Sequence, residues 1–353
     1  LIVAAIPLSL LGCGTFRTEF RLEDPEQFYP GTFRVLSEQL RGAARIEAPP
    51  AGVLVLFREG RTVYSATWGR HRPGGSRVHQ DSRFDVASLT KLMAAGPLLH
   101  QLPEGVRVLA RRGGLDDEQE YPILLDWASR GAIGDPPFPI SEPATASVHQ
   151  YSNTSFYLAG VQRRLSSAEE ELLGEWWAPA DLVSTTFRPP IDDCVTSGNA
   201  PDGAKLQGVP FDPLAHATLF AGRLPLHSGL SSSPSDVMLF ARALLAPPTA
   251  KWGTFADRCF TMLPPLVDRE TGRPIHISAG GLLSATDPPF GRIDATPGRF
   301  VYATGYTGCL LWIDRETATI VVLLTNASAN DSLMEFEELS AEVISSVIRG
   351  TVR

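Results

Sequence analysis

The sequence predicts an α/β chain of the α+β kind. One antiparallel sheet is built from both ends of the chain and flanked by terminal helices, and an all-helical lobe is inserted between them. Three observations carry this expectation. Apolar, β-rich runs cluster near residues 52–68 and again near residues 300–324. A helical apolar period closes the chain after the last of them. The long middle, about 91–289, reads as short helical patterns cut by proline clusters such as Asp135-Pro136-Pro137 and Ala246-Pro247-Pro248.

In chain order, Leu1 to Leu11 is an apolar run ending at Gly12-Cys13, too short to span a bilayer. A short hydrophobic region that stops at a small residue has the shape of a secretory signal; a buried strand that happens to end at a Cys is the alternative. The expected division is a signal over residues 1–13, a charged tether over residues 14–28 and a folded domain over residues 29–353. Phe33, Leu36 and Leu40 share a helical face, which predicts a helix from Gly31 to Arg41. Gly52 to Phe57 and Thr62 to Trp68 follow as strands, joined as a hairpin by Arg58-Glu59-Gly60-Arg61. Phe300 to Tyr306, Cys309 to Ile313 and Ala318 to Leu324 supply three more, for a five-stranded sheet. Asn330 and Asp331 offer caps for a final helix with Leu333, Phe336, Leu339, Val343, Ile344 and Val347 on its inner side.

Charge and motif content remove several classes of function. The chain of 353 residues has a net charge of −8 and lacks any basic block, which argues against a nucleic-acid partner. Gly-x-Ser-x-Gly, His-Glu-x-x-His, a P-loop and Gly-x-Gly-x-x-Gly are absent, and the seven histidines contain no i, i+4 pair. Apart from Cys13 the cysteines are Cys194, Cys259 and Cys309, with no Cys-x-x-Cys spacing for zinc. Metal and nucleotide chemistry therefore lose most of their support. A Cys194–Cys259 disulfide is compatible with an oxidising compartment, and Cys309, in an apolar run, reads as a small core residue.

Three short blocks carry chemistry. Only Lys91, Lys205 and Lys251 are lysines among 31 basic residues. One of them closes Ser88-Leu89-Thr90-Lys91, where helical spacing places an amine on the same face as a hydroxyl. An amine able to take a proton can activate that serine as a nucleophile. Tyr151-Ser152-Asn153 offers a phenol to pass a proton to a leaving group, and an amide to bind a substrate carbonyl. Ala303-Thr304-Gly305-Tyr306-Thr307-Gly308 sits on the first late strand, where glycine permits close approach of a substrate backbone. A strand amide beside the serine amide would complete an oxyanion hole. Each block alone also has a structural reading: a chance spacing, a core tyrosine in a loop, a twisted strand.

In this order the blocks resemble the serine β-lactamase and penicillin-binding-protein superfamily, nearest to class C β-lactamases, family VIII esterases and D-amino-acid peptidases. The resemblance rests on Phe84-Asp85-Val86-Ala87-Ser88-Leu89-Thr90-Lys91, Tyr151-Ser152-Asn153 and His227-Ser228-Gly229-Leu230-Ser231-Ser232 with Asp236. It extends through Thr304-Gly305-Tyr306-Thr307-Gly308 and Leu324-Thr325-Asn326. It implies a β-lactamase/transpeptidase-like fold and an acyl-enzyme mechanism: Ser88 as nucleophile, Lys91 as its activator, Tyr151 as general acid/base and Asn153 as a substrate-positioning amide. Thr304, Gly305 and Tyr306 would line the substrate, with the Ser88 and Tyr306 amides as the oxyanion hole, and no metal and no organic cofactor is implied. Leu10-Leu11-Gly12-Cys13 likewise resembles a bacterial lipobox, implying lipidation at Cys13, membrane association through that anchor alone and a place in the cell envelope or periplasm.

Two departures bear on substrate. The strand motif of relatives opens with Lys or His, and here that position is Ala303, which removes a charge-assisted bond to a substrate carboxylate. A Leu-Leu-Thr-His-Thr-Ser-Gly block of relatives is replaced by Leu124-Leu125-Asp126-Trp127-Ala128-Ser129-Arg130-Gly131. The expectation is therefore a serine hydrolase of small-molecule, peptide or ester substrates, with uncharged esters or amides favoured. The competing expectation is a catalytically impaired relative that binds cell-wall fragments.

Overall fold

The computed structural model describes residues 50–100, 148–149, 151, 153–162, 170–200, 203–268, 272–284, 297–329 and 333–351. The tether, Cys13, the Gly31–Arg41 helix, the Leu124–Gly131 block, Ser152 and the Asn330 and Asp331 caps lie outside these residues.

Among the described residues the central sheet has six antiparallel strands: β1 (Gly52–Arg58), β2 (Arg61–Trp68), β3 (Leu283–Ser284), β4 (Phe300–Gly305), β5 (Cys309–Asp314) and β6 (Thr319–Thr325). Their order is β3-β4-β5-β6-β1-β2, so the two ends of the chain meet at the β1–β6 ladder, with Gly52 opposite Thr325 and Phe57 opposite Ile320. Five strands were expected. The sixth, β3, is two residues long at the sheet edge, too short to give a period-2 signal. In the β1–β2 turn, Glu59 (φ 52°) and Gly60 (φ 83°) both take left-handed backbone, as a two-residue hairpin of this twist requires.

The apolar runs of β1, β5 and β6 are buried along nearly their whole length because both faces of the sheet are covered. Alternate residues serve two cores. On one face Leu54, Leu56, Leu310, Trp312, Val321 and Leu323 pack against Phe336, Leu339, Val343, Ile344 and Val347 of the C-terminal helix, Leu333–Thr351. These are the helix positions expected to face inward. On the other face Val53, Val55, Leu311, Ile313, Val322 and Leu324 pack against the inserted region. There a helix at Pro234–Leu245, started by Ser233 Oγ accepting from the Asp236 N–H (3.1 Å), lies over the sheet. Its Phe240 meets Trp252 and Phe255, which in turn meet Trp176, in an edge-to-face cluster. The inserted region also holds short ladders, such as Phe84–Asp85 with Ser231–Ser232 and Gly198–Asn199 with Lys205–Leu206.

Cys194, Cys259 and Cys309 are buried free thiols, so the Cys194–Cys259 disulfide does not form. Burial pushes Cys194 up to about 11 and Cys309 up to about 12, and raises the fully buried Cys259 further still, which keeps all three thiols neutral. No helix among the described residues is long and apolar enough to cross a membrane.

Candidate active site

Ser88 follows a short connection from the Phe84–Asp85 strand. Ala87, just before it, has φ 44°, a left-handed conformation unusual for a residue with a Cβ. Two bonds hold it there. Asp85 Oδ1 accepts from the Ala87 N–H (2.9 Å), and the Thr90 N–H donates to the Ala87 carbonyl (3.0 Å). The Lys91 N–H then reaches the Ser88 carbonyl (3.0 Å), and a π-helical turn over Lys91–Ala95 continues the chain. Ser88 and Lys91 thus stand one turn apart on one face, as their spacing implied.

Ser88 Oγ lies 2.5 Å from Tyr151 Oη and accepts from Lys91 Nζ at 3.0 Å. The Lys91 amine also donates to Asn153 Oδ1 (2.7 Å) and to the His227 carbonyl (2.6 Å). Ser88 Oγ, Asn153 Oδ1 and the His227 carbonyl thus surround the one nitrogen. Lys91 is partly buried, whereas Tyr151 is 46% exposed, so the serine opens toward solvent on the tyrosine side. Residues far apart in sequence therefore converge: Asn153 starts a helix (Asn153–Gln162), and His227 belongs to the block leading into the Ser231–Ser232 strand.

The end of β4 closes the other side. Thr304 is exposed and Tyr306, expected at the end of a strand, occupies the turn after it with 62% of its surface free. A Cβ on Gly305 would stand 2.5 Å from the Val86 carbonyl. The glycine thus serves the approach of β4 to the segment carrying Ser88, a neighbour the sequence reading had not named. Thr307 Oγ1 donates to the Asp85 carbonyl (2.6 Å) and fastens the same contact. Ala303 is half-buried and packs against the inserted-region core, leaving no charged group at that position.

The other resembling blocks are scaffold. The Val86 N–H donates to the Leu230 carbonyl and the Leu230 N–H to Thr90 Oγ1, both at 3.0 Å, tying Ser88 to the His227–Ser232 block. Asp236 accepts from the Ser184 N–H (2.7 Å) and Thr185 Oγ1 (2.8 Å). Asn326 bonds both the N–H and the carbonyl of Ala51. A second serine–histidine pair, Ser82 Oγ with His71 Nε2 at 2.7 Å, is sealed in the core, where no substrate reaches it.

Sequence reasoning missed Asp85, Phe211 and Thr307. Asp85 Oδ2 accepts from the Phe211 N–H (2.7 Å), and the Phe211 ring stacks on Tyr306 at 5.8 Å and 24°. An Asp two residues before a strained position is a local turn signal and was readable; the Phe211 contact spans 126 residues and was not. Withdrawal from solvent, opposed by its two N–H bonds and assisted by the Asp212 charge, pushes the Asp85 carboxyl up to about 6. Among the described residues no cluster of His, Cys, Asp or Glu is placed to hold a metal ion.

A family model described as Beta-lactamase matches residues 38–119 and 124–341. No curated protein matches the chain significantly. Among solved structures, EstCE1, "a hydrolase with promiscuous acyltransferase activity", superposes with a TM-score of 0.59 at 17% identity, over 90% of this chain and 99% of that one. Simvastatin synthase (LovD, a LovD6 mutant) from Aspergillus terreus gives 0.64 at 15%, over 91% and 98%. The D-amino acid amidase of Ochrobactrum anthropi SV3 gives 0.59 at 18%, over 91% and 99%. At these identities the likeness is one of fold.

Proposed function

This chain belongs to the Beta-lactamase family and is a serine hydrolase of that type, and on that premise we propose that Ser88, Lys91 and Tyr151 carry out acyl transfer to water from uncharged esters or amides. The observation that carries the assignment is Ser88 Oγ held between Tyr151 Oη at 2.5 Å and Lys91 Nζ at 3.0 Å. In the first half-reaction Ser88 Oγ bonds to the acyl carbon and its proton passes to the Lys91 amine. The bond to the leaving group breaks, and that group takes the Tyr151 phenol proton. In the second half water bonds to the acyl carbon and gives a proton to the Tyr151 oxygen, while Ser88 Oγ leaves with a proton from Lys91. The acceptors on Asn153 and His227 steady the ammonium formed between the two halves. The amides of Ser88 and Tyr306 serve the developing oxyanion, a role worth about 10²–10³ in rate per donor.

Ala303 directs the substrate reading. A carboxylate-bearing lactam or peptide finds no cation at that position, whereas a neutral ester needs none. Intact-mass analysis after mixing with p-nitrophenyl acetate, and separately with a penicillin, tests both points. We expect acyl-enzyme and turnover with the ester, weak labelling by the penicillin, and loss of about 10³-fold or more in Ser88→Ala. Full activity in Ser88→Ala defeats the assignment; no acylation by either probe returns the chain to a binder of cell-wall fragments.

The same reading places the protein in the bacterial cell envelope, anchored by lipid at Cys13. Leu10-Leu11-Gly12-Cys13 supports it, and the absence of an acylatable Cys in Cys13→Ala supplies the control. Metabolic labelling with an alkynyl fatty acid should mark the wild type and not the variant; equal labelling of both, or of neither, counts against the anchor.

A further inference from the structure

We propose that Asp85 is a positioning residue for this hydrolase: its carboxylate sets the Ser88 elbow and the Phe211–Tyr306 wall together, and its protonation releases both. The inference rests on the reading of Ser88 as nucleophile. Asp85 Oδ1 holds the Ala87 N–H at 2.9 Å, one residue before Ser88 and at the left-handed position. Oδ2 holds the Phe211 N–H at 2.7 Å, and Phe211 carries Tyr306 on its ring. The Asp85 carbonyl takes the Thr307 hydroxyl at 2.6 Å, one residue beyond Tyr306. One residue thus binds the chain on both sides of the space where an acyl group would sit.

A carboxylate has an acceptor oxygen for each N–H, whereas a carboxylic acid presents one carbonyl oxygen and one O–H. Protonation therefore leaves one of the two amides facing a donor, and either the Ala87 turn or the Phe211 loop relaxes. The group sits beside a small cavity lined by Phe187, Cys194, Val195, Pro210 and Ser231, and its titration is centred at about 6. The ionisable groups facing it are Asp212, which adds repulsion, and the Cys194 and Cys309 thiols, which burial keeps neutral. Arg83 is engaged with Asp193 and the Ser184 carbonyl, and His227 faces Asp212 at 3.3 Å.

The test is the pH profile of kcat and KM for p-nitrophenyl acetate in the wild type and in Asp85→Asn. Asparagine copies the protonated acid: one acceptor, one donor, no titration. The wild type should lose kcat below pH 6 with KM held. Asp85→Asn should lack that limb and, at pH 8, run about 10–100-fold below the wild type, near the acid-side rate of the wild type. A limb near pH 6 that survives in Asp85→Asn overturns the proposal, as does an unchanged kcat at pH 8. Should that variant fail to fold, Thr307→Val cuts the tie to the Asp85 carbonyl, and with it the Cys309 Sγ contact at 3.4 Å. It should lower kcat about tenfold at constant KM and keep the limb, and full kcat there overturns the proposal. A Ser88→Ala enzyme with full activity would defeat the nucleophile assignment whatever Asp85→Asn does. A Ser88-dependent enzyme whose limb ignores Asp85→Asn defeats this inference alone.

Discussion

Lys91 shows what a single residue contributes here. Arginine fills 28 of the 31 basic positions, yet the amine that touches Ser88 Oγ is a lysine. A guanidinium is a permanent cation with no lone pair to take the serine proton, and its planar fork does not fit three acceptors spread around one nitrogen. Lys91→Arg should therefore fold, with a thermal midpoint near that of the wild type, and form acyl-enzyme at least about 10³-fold more slowly. Arginine at this position with near-normal acylation would remove Lys91 from the proton path. The candidate residues Ser88, Lys91 and Tyr151 were legible because hydroxyl, amine and phenol are rare combinations at such spacings. Asp85 was not singled out, since an aspartate in a turn is ordinary until its second oxygen is seen to hold Phe211, 126 residues on.

At the scale of elements, legibility followed burial pattern and length. The strands β1, β4, β5 and β6 were read within a residue or two because each carries at least five residues of continuous apolar or β-branched sequence. The C-terminal helix was read with its inner face correct because its apolar period runs through Phe336, Leu339, Val343 and Val347. The elements that failed to show are the two-residue strands, β3 and the Phe84–Asp85 pair among them, whose hydrogen bonds come from partners distant in the chain. The glycine in Thr304-Gly305-Tyr306 was noticed for the right property, the close approach of a backbone. Sequence shows that a backbone must come close, but only the packed strand shows that the Val86 carbonyl is what approaches.

For the molecule as a whole, the site is held partly at the expense of stability. Burial raises the carboxyls of both Asp85 and Asp236 above the ordinary value. A carboxyl that binds its proton more tightly in the fold than in the unfolded chain contributes stability that is complete below about pH 4 and is lost as pH rises through its folded value. For Asp85 that loss is centred at about 6 and amounts to at most about 3 kcal/mol. Urea unfolding of the wild type should therefore weaken between pH 4 and pH 7 relative to Asp85→Asn, whose amide does not titrate. Parallel curves for the two proteins would contradict the carboxyl's assignment. The ionised form that holds the elbow is thus the less stable one, so the pH range of best activity should lie above that of greatest stability.

By itself the sequence determined the α+β architecture, the two-ended sheet and the closing helix, and brought out Ser88, Lys91 and Tyr151 as candidates for nucleophile, activating amine and phenol, because these depend on local period and on residue chemistry. The tertiary structure decided that the cysteines stay apart, that Gly305 makes room for Val86, and that Asp85 joins the Ser88 turn to the Phe211–Tyr306 stack. Those facts are distances between segments that the chain brings together only when the apolar faces of the sheet are covered, and no local period encodes them.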